Sequence, residues 1–358
     1  MKFILLFFIS LSISMFLTPL VRKFSLKYKM GIDYRNDRKT HQKRIITRLG
    51  GVAIFLSFFI SLFIIYLFVL NDKIFLKTIT GLFLGALIVV LTGLYDDIKG
   101  VKALYKLLFQ ILAALILVYF NIIADVSKYI NSNYIYQINI FITVIWVVGV
   151  INAINLADGL DGLAAGIVSI ASITIFLISL FNKSFTTAFL SVILAGATIG
   201  FLRYNFNPAK LFLGDNGSML LGFSLSSIAI VESHKSATIA AILIPITALG
   251  LPIADTFFAV IRRTLKGANI FKADNGHIHH VLVNWGLTHK QAVLFLYALT
   301  ILLGSVAFVV TAIRNEISGI ILFTMGAIVF VGIKNIGFID HLQIIKNSIN
   351  NEIKKSKK

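Results

Sequence analysis

The sequence predicts an all-α, polytopic integral membrane protein with about 11 transmembrane helices, and three observations carry that reading. Hydrophobic residues make up 58% of the 358 and charged residues only 13%, about half the charged share of a soluble domain. Mean hydropathy is +0.91. The apolar residues fall into eleven runs near the length that crosses a hydrocarbon core, at about 3–20, 49–70, 78–95, 104–124, 138–156, 163–181, 186–203, 217–231, 238–260, 291–311 and 318–336. Such runs use roughly 230 residues and leave about ten for each connection, which excludes an independent soluble domain. The longest polar stretches, 22–48 and 261–290, are too short for a core of their own. Residues 1–336 therefore read as one transmembrane domain and 337–358 as a basic tail. The absence of cysteine excludes disulfides, thiol nucleophiles and Cys-ligated metal centres.

The formal charge of +18 is first of all a topology signal and not a sign of nucleic acid binding. Assigning alternate connections to opposite sides puts 26 of the 33 Lys and Arg on one side. Ten of them lie between Arg22 and Arg48, and six from Lys334 onward. That side is expected to be cytoplasmic, with the N-terminus outside and the tail inside. Lys2 ahead of an apolar run resembles a signal peptide, but the ten basic residues after the run outweigh it, so the first span is read as retained.

The acidic residues are more informative, because a carboxylate near lipid is expensive and tends to be kept for function. Asp96 and Asp97 end the third span, Asp158 and Asp161 lie between the fifth and sixth, Asp215 precedes the eighth, and Asp255 lies near the end of the ninth. All six fall at the expected cytoplasmic ends, which describes a site at the membrane surface. A transporter or lipid-linked-sugar flippase would need a polar route across the bilayer, and a structural scaffold would not need these carboxylates.

Adjacent carboxylates at a helix end reach one divalent cation or one proton, and magnesium takes one or two of them together with substrate phosphates. An isolated Asp-Asp pair would be a solvated terminus facing Lys99 and Lys102; the company of the other loops favours chemistry. In NAINLADGLDGLAAG, Asn155, Asp158 and Asp161 recur every third residue, so a helical continuation would place them on one face. Gly159, Gly162 and Gly166 leave room for close approach of a ligand at the N-terminal end of the sixth span. The segment RYNFNPAKLFLGDNGSMLLG repeats the pattern with Asn205 and Asp215. Asn216 and Ser218 there also fit plain helix capping. The loop from Arg262 to Lys290 holds Arg262, Arg263, Lys266 and Lys272, then His277, His279 and His280, a set better suited to a polyanion than to zinc.

Together these residues resemble the polyprenyl-phosphate N-acetylhexosamine-1-phosphate transferases. The elements occur in family order: HQKRIITRLGG at 41–51, Asp96-Asp97, LYKLLFQ around Lys106, NAINLADGLDGLAAG, Asn205 to Gly217, PIADT with Arg262-Arg263, and DNGHIHH. Within the family the chain resembles the bacterial branch that begins O-antigen, enterobacterial-common-antigen or teichoic-acid linkage synthesis. The peptidoglycan branch, phospho-N-acetylmuramoyl-pentapeptide transferase, typically carries PTMGG, a His triplet and ten spans, where this chain has TRLGG, HIHH and eleven runs.

The resemblance implies a reaction in which undecaprenyl phosphate attacks the β-phosphorus of a UDP-N-acetylhexosamine, most simply UDP-N-acetylglucosamine, and UMP leaves. It implies Mg2+ as cofactor, with Mn2+ as a substitute, and Asp215 with Asn155 as the metal-holding pair. Asp96 and Asp97 would lie near the acceptor phosphate, and Lys106 would neutralise diphosphate charge. Asp158 and Asp161 would line the nucleotide pocket with Asn205 beside them, and His277, His279 and His280 with Arg262 or Arg263 would grip the sugar phosphate. The implied location is the plasma membrane with the site on the cytoplasmic face. No nucleic acid is a partner, and the oligomeric state is left open, a homodimer being one arrangement.

Overall fold

The computed structural model describes residues 2–36, 43–70, 72–127, 130, 132–233, 250, 252–253, 255–256 and 278–313. The predicted runs at 318–336 and, for most of its length, 238–260 lie outside the described residues, as does the tail. The other nine runs fall on helices: α1 (Lys2–Tyr28), α2 (Gly50–Ile65, extended by a π turn at Tyr66–Leu70), α3 (Lys73–Lys99), α4 (Ala103–Tyr119), α5 (Ile135–Ala157), α6 (Leu163–Phe181), α7 (Phe185–Asn205), α8 (Gly214–Ser233) and, after a short α9 (Ile278–Asn284), α10 (His289–Ile313). Among the described residues seven helices are long and apolar enough to cross a membrane: α1, α2, α3, α5, α6, α7 and α10. The protein is a polytopic, mostly helical membrane protein.

One element departs from an all-α reading. β1 (Ile32–Asn36) and β2 (Lys43–Thr47) form an antiparallel hairpin with Ile32 opposite Thr47 and Asn36 opposite Lys43. The polar stretch that holds it showed no period-two pattern long enough to announce a sheet. Its base is stitched to distant chain, since Thr47 O accepts the N–H of Phe212 at 2.8 Å and the N–H groups of Gly50 and Gly51 donate to Phe212 O and Leu213 O.

α8 sits at the centre, packed against α2, α3, α5, α6 and α7. Met219, Leu220, Leu221, Phe223, Leu225 and Ile228 are all fully buried, and their positions lie around the helix, so α8 is enclosed by its neighbours. Its serines are not a polar face: Ser226 and Ser227 donate to Phe223 O one turn back, which satisfies a hydroxyl inside a helix without a partner from elsewhere. Hydroxyls also join helices, as Ser10 and Ser14 on α1 donate to Ile193 O and Ala197 O on α7 at 2.7 and 2.6 Å. At the far end of α8 a buried carboxylate, Glu232, accepts from Ser179 Oγ at 2.9 Å and Asn182 Nδ2 at 3.0 Å. These bonds tie α8 to the α6–α7 turn.

Close approach at the other end of α8 depends on two glycines. A Cβ on Gly51 would overlap Asn216 Oδ1 and Gly217, and one on Gly93 would overlap the backbone of Asn216. The first turn of α8 is thereby seated directly on α2 and α3.

Candidate active site

The C-terminal end of α3, the α5–α6 turn, the α7–α8 loop and the hairpin base converge on one polar pocket of about 250 Å³, with the start of α4 at its edge. Asp33, Arg48, Asp97, Asn155, Asp158, Asp161, Asn205, Phe212 and Asp215 line it.

Asp97 builds the frame. One of its oxygens accepts the backbone N–H of Asp215 at 3.1 Å; the other accepts the N–H of Asn216 at 3.0 Å and its Nδ2 at 2.6 Å. A carboxylate on the first N–H groups of a helix satisfies donors that have no intrahelical partner and meets the positive end of the helix dipole. Asn216 Nδ2 also donates to Arg48 O at 2.6 Å, so α3, α8 and the hairpin base share one small network.

Asp96 faces the other way. Its Oδ1 accepts the N–H of Val101 at 2.6 Å, and its Oδ2 lies 2.6 Å from Lys106 Nζ. Lys106 Nζ is also 2.6 Å from Asp215 Oδ2. The ammonium thus bridges two carboxylates from α3 and α8, all three side chains being partly shielded from solvent. One turn along α4, Gln110 Oε1 accepts from Asn152 Nδ2 of α5 at 2.8 Å. The spacing in LYKLLFQ therefore places the bridging cation and a helix-joining amide on neighbouring turns. The adjacent Asp96 and Asp97, expected to act together on the acceptor, are divided by the helix rotation: one holds the lysine and the other holds α8.

The break expected between the fifth and sixth runs is present, so Asn155, Asp158 and Asp161 do not share a continuous helical face. α5 ends at Ala157, and the chain turns through 158–162 to a left-handed Gly162 (φ +83°). The turn still delivers all three side chains to the pocket. Asn155 Oδ1 accepts from Ser218 Oγ at 2.9 Å, and Asp161 Oδ2 accepts from Asn207 Nδ2 and Ala209 N, both at 3.2 Å. Burial, then the charges of Asp215, Asp97 and Asp161, push the Asp158 carboxyl well above the usual carboxylate range. Gly166 serves packing rather than ligand approach, because a Cβ there would overlap the Tyr297 ring of α10. The Tyr297 hydroxyl donates to Gly162 O at 2.5 Å, bracing the turn.

Asn205 is buried; its Nδ2 donates to Leu211 O at 3.0 Å, while its Oδ1 has no hydrogen-bond partner among the described residues. It lines the pocket as an acceptor. Of the histidine loop, Arg262, Arg263, His277 and the side chain of His279 lie outside the described residues, and His280 is exposed on α9. The N–H of Ile278, first in α9, donates to Asp255 Oδ1 at 3.1 Å. Asp255 thus meets the start of α9 and does not line the pocket with the other carboxylates. Ile278 and Asp255 share a small cavity with Ala157 and Leu163, the residues that bracket the α5–α6 turn.

Sequence reasoning gave no role to Asp33, Arg48 or Phe212. Arg48 and Phe212 stood inside quoted motifs; Asp33 had no signal, because its place depends on the hairpin.

Among the described residues no group of three or more His, Asp or Glu side chains is arranged to hold a metal alone. Magnesium in a phosphate-transfer site needs only one or two carboxylates, the remaining positions going to phosphate and water. Asp215, Asn155 and the mutually repelling Asp158 offer hard oxygen donors around one pocket, so the residues fit that ion. Beside the Asp96–Lys106 pair an apolar groove of about 490 Å³ runs between α3 and α4, lined by Tyr95, Val101, Tyr105 and Phe109.

A family model for glycosyl transferase family 4 matches residues 79–233, the stretch from α3 to α8 that holds most of the pocket. A Bacillus subtilis protein described as a probable undecaprenyl-phosphate N-acetylglucosaminyl 1-phosphate transferase is 36% identical over 90% of this chain and 89% of its own length. A Mycobacterium tuberculosis decaprenyl-phosphate N-acetylglucosaminephosphotransferase is 36% identical over 34% of the chain and 32% of its own length. A Clostridium botulinum phospho-N-acetylmuramoyl-pentapeptide-transferase is 29% identical over 83% and 92%. With the carboxylate-lined pocket between α3, α5 and α8 and a relative that aligns along nine-tenths of the chain, this protein belongs to glycosyl transferase family 4, as a polyprenyl-phosphate N-acetylhexosamine-1-phosphate transferase.

Proposed function

We propose that the protein transfers N-acetylglucosamine 1-phosphate from UDP-N-acetylglucosamine to undecaprenyl phosphate at the cytoplasmic face of the plasma membrane, releasing UMP. The observation that carries the reading is the Lys106 ammonium held between Asp96 and Asp215 at the edge of a carboxylate-lined pocket. The full-length likeness to a relative named for this sugar phosphate and this lipid supports the choice of substrates.

Two anions must meet for the reaction to occur. The acceptor phosphate lies at the bilayer surface, and the α3–α4 groove gives its apolar chain a seat beside Lys106. An acceptor phosphate with a second pKa near about 6 is largely dianionic at neutral pH, so positioning and charge stabilisation suffice and a strong base is optional. An oxygen of that phosphate attacks the β-phosphorus of the donor. The bond from that phosphorus to the bridging oxygen breaks, and UMP departs with the oxygen and its charge. Lys106 offsets the charge of the approaching phosphates, and Asp96 fixes where its ammonium stands. Asp158, Asp161, Asn205 and Phe212 shape the nucleotide side of the pocket. Asp215 and Asn155, with Asp158 near, would hold Mg2+, or Mn2+ in its place, which would supply screening of the diphosphate. The histidine loop supplies further donors to the sugar phosphate. The predominance of basic residues on one side supports a cytoplasmic site.

The test is purified protein in detergent with undecaprenyl phosphate, Mg2+ and a panel of UDP-sugars that includes UDP-N-acetylgalactosamine and UDP-N-acetylmuramoyl-pentapeptide, with UMP measured. UMP release with UDP-N-acetylglucosamine that needs both lipid and Mg2+ is expected. Preference for the muramoyl donor would move the protein to the peptidoglycan branch, and lack of UMP release with every donor would overturn the reading.

A further inference from the structure

The pocket has an unbalanced lining. Asp33, Asp97, Asp158, Asp161 and Asp215 bring five carboxylates, while Arg48 is the one basic side chain among the described lining residues. Lys106 does not line it, being engaged between Asp96 and Asp215 at its edge. We propose that Arg48 is a specificity-determining residue that grips the diphosphate of the nucleotide-sugar donor, and that Asp33 holds its guanidinium in place until the donor arrives. The proposal rests on the transferase reading above.

The geometry separates a fixed backbone from a movable side chain. The N–H of Arg48 donates to Gly31 O at 2.8 Å, and its carbonyl accepts from Asn216 Nδ2 at 2.6 Å. The Cα is therefore locked against the first turn of α8, next to Asp215. The side chain is nearly half exposed, at 47%, and meets Asp33 Oδ2 through one guanidinium nitrogen at 2.8 Å. An ion pair this exposed contributes little to stability, so the guanidinium leaves Asp33 at small cost. A diphosphate offers it two oxygens in the planar arrangement a guanidinium fork matches, which one carboxylate oxygen does not. Neither a carboxylate-lined wall nor a point charge outside the pocket supplies that.

A purely structural role is the competing explanation: Arg48 and Asp33 would staple the hairpin to the α2 start. The two roles predict different patterns. If Arg48 grips the donor, Arg48→Gln raises the KM for the UDP-sugar about tenfold or more while the KM for the lipid phosphate stays within about twofold. Inhibition by UDP weakens in the same variant, and inhibition by uridine does not. Arg48→Lys falls between, because an ammonium keeps the charge and loses the fork. Asp33→Asn removes the competitor for the guanidinium and lowers the donor KM. If the pair is only a staple, Arg48→Gln and Asp33→Asn shift unfolding temperature and kcat together and leave the ratio of UDP to uridine affinity unchanged. That ratio staying at the wild-type value in both Arg48→Gln and Arg48→Lys overturns the grip, and a raised donor KM in Asp33→Asn overturns the placeholder. Should Arg48→Gln fail to fold, Arg48→Lys carries the comparison. Failure of the wild-type protein to release UMP from any UDP-sugar would instead count against the transferase reading itself.

Discussion

Lys106 and Asp215 stand 109 positions apart in the chain and meet at 2.6 Å, with Asp96 on the other side of the same ammonium. The contact joins the start of α4 to the first turn of the buried central helix. It also fixes the charge balance of the site, since one cation is shared between two carboxylates that would otherwise repel each other across a partly desolvated gap.

Replacing that cation should therefore disable the enzyme without unfolding it. Lys106→Met leaves Asp96 and Asp215 facing each other and withdraws the charge that meets the incoming phosphates. UMP release is expected to fall on the order of 10²-fold or more, with an unchanged elution profile in detergent. A rate close to wild type would remove Lys106 from the mechanism.

Asp97 is predicted to act on stability as well as rate. Asp97→Ala removes three hydrogen bonds to Asp215 and Asn216 and should cost about 1–3 kcal/mol, read as a lowered unfolding temperature. Asp97→Asn retains one acceptor and should lose less. Equal stability of both variants and wild type would show that α8 does not depend on this cap.

The proposed magnesium site exists only in the assembled pocket, so the ion should stabilise the folded protein over the unfolded chain. Millimolar MgCl2 is expected to raise the unfolding temperature of wild type and to do so far less in Asp215→Asn. An equal rise in both would place the ion elsewhere.

The Gly166–Tyr297 contact, which stands behind the α5–α6 turn, gives a packing test. Gly166→Ala should destabilise the protein by about 1–3 kcal/mol, because the new methyl overlaps the Tyr297 ring. The same Gly166→Ala change should cost less in a Tyr297→Ala background, a non-additivity that a mutant cycle measures. Strict additivity would mean the two residues do not compete for the space.

Single displacement is expected over a two-step route through a phosphorylated aspartate. Asp96 is occupied by Lys106 and Val101, and Asp97 by α8. Neither is placed as the nucleophile of a covalent relay. Exhaustively delipidated enzyme should not exchange labelled UMP into the UDP-sugar. Exchange at a rate comparable to turnover would recast an aspartate as the nucleophile.

The sequence by itself determined the membrane character, the helix runs from α1 to α8 and α10, and the membership of Asp97, Asn155, Asp158, Asp161, Asn205 and Asp215 in one site. These were legible because apolar length and the cost of a carboxylate near lipid are local properties of the chain. Tertiary structure alone decided how the roles divide. The split of Asp96 from Asp97 follows from helix rotation and from which neighbour arrives on each side. The path of the turn between α5 and α6, whose existence the two separate apolar runs already implied, is held by a left-handed glycine braced by a tyrosine 135 residues away. Arg48 and Asp33 enter the pocket only because a short hairpin, too irregular in pattern to announce itself, is pinned to the α7–α8 loop by backbone hydrogen bonds. Backbone pairing of that kind carries no side-chain signature, so the cation facing five carboxylates became visible only once the chain was folded.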